Sequence, residues 1–66
     1  MTLDELRASP AAVVQVADVA ELLEVDPRTV LRGCEQGQIP SIRVSRRVLI
    51  PRLRLLAMLD AAEEVL

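Results

Sequence analysis

Sixty-six residues, 52% hydrophobic but without a Phe, Tyr or Trp, specify one small domain with an aliphatic core and no bulk for a deep catalytic cleft. One cysteine and no histidine exclude an internal disulfide and a Cys–His zinc site, and no run of about eighteen apolar residues is present to span a membrane. The net charge of −2 hides a segregation: Pro27 to Arg54 carries seven arginines against the single acid Glu35, a +6 block between two acidic ends.

Thr2-Leu3-Asp4-Glu5 reads as a capping box, which predicts a short helix within an extension over residues 1–13. Ser9-Pro10 ends it, because proline disfavours helical backbone in the residue before it. Ala11 to Gln15 reads as an extended approach. The first firm helix is predicted from Gln15 to Leu23, in a unit covering 15–25. Val16, Val19, Ala20 and Leu23 form one apolar stripe, with Asp18, Glu21 and Glu24 on the other side. Gln15 is a poor cap, so the period rather than the start carries that expectation. Asp26-Pro27 is a strong helix start: the carboxylate can accept from free amides, and proline needs no amide hydrogen at the first helical position. The second helix is predicted from Pro27 to about Gln36, with Gly37 as its stop, in a unit covering 26–37. Val30, Leu31 and Cys34 face inward, while Arg28, Thr29 and Arg32 remain solvent-facing. Cys34 therefore reads as a core residue rather than a redox sensor. Gly33 inside this helix costs about 1 kcal/mol relative to Ala, and close approach of another backbone would account for it.

The period then changes. Ile42-Arg43-Val44 and Val48-Leu49-Ile50, joined by a polar Ser45-Arg46-Arg47 tip, predict a β-hairpin over 42–50. Two strands alone are marginal in water, so the hairpin must lie against the helices. Pro51 closes it and opens a last helix, Arg52 to about Val65, in a unit covering 51–66.

Helix, short turn, basic helix, basic-tipped hairpin and helix is the winged helix-turn-helix plan, mainly α with a small β-hairpin. In that plan the second helix enters the major groove with its N-terminal residues at the base edges. Those residues are Arg28, Thr29 and Arg32. Arginine pairs bidentately with guanine O6 and N7, and threonine can touch a thymine methyl. Ser45, Arg46 and Arg47 at the wing tip suit the adjacent minor groove or phosphates, with Arg43 and Arg52 as further phosphate contacts. Taken singly, such arginines serve solubility or protect a sheet edge. In this order and with this charge segregation they point to double-stranded DNA. No histidine, no nucleophile paired with a base and no phosphate-binding glycine loop is present, so no enzyme, cofactor or metal is expected. The acidic Met1-Thr2-Leu3-Asp4-Glu5 start and the lone thiol predict a cytoplasmic location.

Val16 to Val30, then Gln36-Gly37-Gln38-Ile39-Pro40, Ile42 to Arg47 and Ile50-Pro51 together resemble the excisionase family of MerR-like winged helix-turn-helix proteins. These are recombination directionality factors, and the likeness is to short excisionases of actinobacterial phages. The resemblance implies binding and bending of DNA near phage attachment sites, several copies side by side, and an integrase biased toward excision. Three positions depart from the family pattern: Gly33 stands where a bulky residue is common, Ser45 replaces a wing-tip glycine, and Leu49 replaces a polar residue. A small transcriptional regulator or a protein-interaction module of the same fold remains an alternative reading. In the last helix, Leu55, Leu59, Ala62 and Leu66 follow a heptad-like 4-3-4 spacing. That stripe reads either as a surface for self-association or an integrase, with Leu53 and Leu56 serving the core, or as part of a helix simply wrapped into a compact core.

Overall fold

Residues 1–64 are described by a computed structural model. The elements run α1 (Leu3–Ala8), β1 (Val13–Gln15), α2 (Val16–Leu23), α3 (Pro27–Glu35), β2 (Ile42–Val44), β3 (Arg47–Pro51) and α4 (Arg52–Glu64). Helices dominate, with a small three-stranded antiparallel sheet, consistent with a winged helix-turn-helix.

The sheet is one strand larger than the sequence suggests. Its order is β1-β3-β2, with Val14 opposite Ile50 on one side of β3 and Arg43 opposite Val48 on the other. The segment expected only to approach α2 in extended form is thus a paired strand. This third strand gives the hairpin the support that two strands lack. It also leads straight into α2, where the Asp18 carboxylate accepts from the Gln15 amide at 3.3 Å. The poor cap residue is compensated from within the helix's first turn.

The core is aliphatic and small. Leu6, Val14, Val19, Ala20, Val30, Ile50, Leu55 and Leu56 are buried, so every element except β2 contributes to it. Cys34 is half-buried and packs against this cluster, on the inward side of α3.

The last helix corrects the sequence reading. The first two residues of the 4-3-4 stripe turn inward. Leu55 is fully buried and Leu59 is half-buried against the core, whereas Leu53, expected in the core, is 69% exposed. At 3.6 residues per turn, Leu53 lies nearly opposite Leu55, so only one of the two can face the domain. Ala62 is exposed, and Leu66 lies outside the described residues. Leu55 and Leu59 of the stripe are therefore on the core face of their own helix.

Arg52 has a structural duty that the sequence reading did not give it. Its Nε donates to the Ala11 carbonyl at 2.7 Å, and its Nη1 donates to the Leu6 and Arg7 carbonyls at 2.8 and 3.4 Å. Leu6 and Arg7 belong to the last turn of α1, whose carbonyls have no intrahelical partner. A guanidinium there caps a helix six residues long, which could not stand alone in water. At the other end of α1, Thr2 Oγ accepts from the Glu5 amide at 3.2 Å, as its capping box requires. Arg52 holds α1 on the body through Nε and Nη1, which leaves Nη2 as its donor for a phosphate.

Gly33 makes room for a side chain rather than for a distant backbone. A Cβ at that position would meet Ile39 Cδ1 at 2.8 Å. The Gly33 carbonyl also accepts from the Gln38 and Ile39 amides at 2.9 and 3.2 Å. Gly37, with φ of 76°, turns the chain so that these bonds can form. The loop after α3 thus folds back over its own helix and delivers the chain to the wing.

Candidate nucleic-acid interface

The turn between α2 and α3 is built by backbone geometry and one carboxylate. Glu24 adopts the left-handed conformation, φ 58° and ψ 43°, and the Val25 amide reaches back to the Ala20 carbonyl at 3.0 Å. Asp26 then caps α3, its Oδ1 accepting from the Arg28 amide at 2.8 Å. Pro27 fills the first helical position.

On α3 the division between core and surface follows helical spacing. Val30 and Gly33 are buried, Leu31 and Cys34 are half-buried, and Arg28, Thr29 and Arg32 are exposed. The three residues expected to face a major groove therefore share the outer side of the helix. Arg28 is 86% exposed, yet it is not unengaged. Its Nε donates to Asp26 Oδ1 and its Nη2 to Asp26 Oδ2, both at 3.2 Å. This pair was not legible as such: Asp26 read only as a cap. The available signal was its position two residues before an arginine at a helix start. The Arg28 guanidinium, and then its amide, hold the Asp26 carboxyl below the usual carboxylate range.

The wing carries cations on both faces. Val44 and Arg47 are opposite each other across the hairpin, as are Arg43 and Val48. Because side chains alternate along a strand, Arg47 shares the outer face with Ile42 and Val44, and Arg43 lies on the other face. Arg46 sits at the tip. Arg32, Arg43, Arg46 and Arg47 are all exposed, and no described carboxylate forms an ion pair with them. Their donors are open to an anionic ligand. Leu49, which stands where the resembled family carries a polar residue, is half-buried between Gln15 on β1 and Ile42 on β2.

The wing turn is shorter than the three-residue tip read from sequence. Val44 pairs with Arg47, so only Ser45 and Arg46 form the loop. Ser45 has φ of 58°, the sign that a two-residue hairpin turn of the glycine-first type demands. A left-handed conformation costs an ordinary residue about 1–2 kcal/mol, part of which glycine's greater unfolded freedom would offset. Ser45→Gly is expected to raise the melting temperature by a few degrees, on the scale of about 4–8 °C per kcal/mol for a domain of this size. A thermal melt by circular dichroism checks it. A lowered melting temperature would show that the serine is not strained.

Residues 13–63 match the family described as the helix-turn-helix domain, a span covering β1 through nearly all of α4. The chain belongs to that family. Excisionase-like proteins are among the members of this helix-turn-helix domain family, which supports DNA binding by the chain. The matched span includes all three elements that bear the candidate contacts: α3, β2 and β3. No curated protein and no solved structure matches the chain. Among the described residues, no helix is long and apolar enough to cross a membrane, and no cluster of side chains could hold a metal ion.

Proposed function

We propose that this helix-turn-helix domain is an excisionase: a non-enzymatic, cytoplasmic factor that binds and bends attachment-site DNA and directs an integrase toward excision. The observation that carries the DNA-binding part is the set of exposed arginines on α3 and the wing that no described carboxylate neutralises. Arg28, Thr29 and Arg32 read bases in the major groove, and Arg43, Ser45, Arg46 and Arg47 hold the neighbouring minor groove or phosphates. The excisionase role rests on the family resemblance of the helix-turn-helix and wing motifs.

Size argues for several copies. The longest dimension of the chain is 34 Å, about one turn of B-DNA (roughly 34–36 Å), so one copy engages adjacent grooves at one site only. With the three wing arginines on phosphates, affinity falls with salt at a log–log slope of about −3. Useful occupancy at physiological salt then depends on neighbouring copies assisting one another on the DNA.

A gel-shift titration on attachment-region DNA at two salt concentrations, with scrambled DNA as control, tests this reading. A ladder of salt-sensitive bands on the attachment fragment is the expected result. A single band confined to a promoter fragment would replace it with a transcriptional regulator. Absence of any salt-sensitive shift would replace it with a protein-interaction module.

A further inference from the structure

Asp26 holds Arg28 by one edge only. The carboxylate takes Nε and one hydrogen of Nη2. A guanidinium has a second fork, made by one hydrogen from each terminal nitrogen, and that fork is the one that fits guanine O6 and N7 end-on. Both engagements can exist at once. A phosphate drawing Arg28 away by its Nε edge would instead leave the Asp26 carboxylate with its backbone amide but without a counter-cation in the strong negative potential of DNA.

We propose that Asp26 is a specificity-determining residue: by holding the side edge of Arg28 it aims the other fork at a base and withholds that arginine from sequence-independent phosphate binding. The proposal deepens the DNA-binding reading and rests on it. Two effects follow from the geometry. The pair is neutral overall, so Arg28 releases no counterion and adds nothing to the non-specific, salt-dependent attraction. The fork is also oriented before binding, which reduces the ordering cost of a base contact. The exposed pair is weak in water, so the arrangement acts by steering Arg28 rather than by stabilising the fold.

Asp26→Asn separates the charge from the cap, because asparagine caps a helix as well as aspartate. The probe is a duplex selected by the wild-type protein from a randomised library, compared with a scrambled duplex of the same composition across a salt series. Asp26→Asn is expected to bind the scrambled duplex about five- to tenfold more tightly at low salt, with a log–log salt slope steeper by about 1. Affinity for the selected duplex should change less, so that the ratio of the two falls by a similar factor. In an Arg28→Ala background the same substitution should leave the ratio unchanged.

Arg28→Lys provides a variant that does not touch the cap. Lysine keeps the charge but cannot hold a planar fork, and it too should lower the ratio. Equal gains on both duplexes, or an unchanged ratio in Asp26→Asn and Arg28→Lys, would overturn the proposal and leave DNA binding standing. A wild-type protein without salt-sensitive DNA binding would overturn both.

Discussion

Leu55→Ala is expected to abolish the cooperative thermal transition, whereas Leu53→Ala, two residues away, should leave it nearly unchanged. Leu55 is fully buried at the junction of α4 with the sheet and helices, and Leu53 is 69% exposed. Truncating a buried leucine costs about 2–5 kcal/mol, through lost transfer free energy and the cavity left behind. A single core in a chain this short rarely supplies more than about 3–5 kcal/mol in total. Leu55→Ala therefore consumes most or all of the stability, and helical circular dichroism should be low even at room temperature. Leu53→Ala should fall within about 0.5 kcal/mol of the parent, as exposed substitutions do. Melts of the two variants side by side decide the orientation of α4. Similar losses for both would show that Leu53 is covered in solution, and a larger loss for Leu53→Ala would reverse the assigned face.

The second large effect concerns DNA, and its diagnostic is how two arginines differ. Arg32 lies on the outer side of α3 and Arg46 at the wing tip, both exposed. A bidentate arginine–guanine contact contributes about 1–3 kcal/mol of discrimination, or roughly 5- to 150-fold. Arg32→Ala should therefore lose affinity for a selected site by that factor, bind scrambled DNA almost as before, and relax preference at one base pair. Arg46→Ala should weaken binding to all sequences and reduce the salt slope by about 1. Titrations at several salt concentrations on both duplexes separate the two. Parallel losses on selected and scrambled DNA after Arg32→Ala would reject its base-reading role.

What could be read from the residues alone was whatever local chemistry decides. Thr2 with Glu5, Asp26 with Pro27, and Gly37 each mark a helix boundary through a bond or dihedral set within a few residues, and each does so in the structure. The exposed side of α3 was legible for the same reason: an apolar residue every three or four positions leaves Arg28, Thr29 and Arg32 outside. β1 was not legible because it is only three residues long and its partner Pro51-Ile50-Leu49 lies more than thirty residues away. The facing of α4 was left open for a different reason. With Leu53, Leu55, Leu56, Met58 and Leu59 close together, periodicity identifies a stripe but not which stripe turns inward. Burial of Leu55 settles it through the tertiary packing of the helix. Arg52 looked like one more cation in a basic segment, and only the return of α1 to its side chain shows why it is needed there. Within the site, the exposure of the arginines was readable, but the Asp26–Arg28 fork depends on side-chain rotamers that composition does not express.

The central position of β3 has a mechanical meaning. The wing is the distal end of a strand whose other edge is hydrogen-bonded to β1, and β1 passes into α2 without a linker. The base of the hairpin, at Leu49 to Pro51, is thus tied through β1 to the helix pair, while the Val44–Arg47 and Arg43–Val48 pairs project beyond it. On the proposed reading, a duplex gripped by both α3 and the wing would meet two contacts anchored to one sheet, and a mismatch in shape would fall partly on the DNA. The elastic cost would then fall on base steps that the protein never touches, and flexible steps between the two contacts would be favoured over stiff ones.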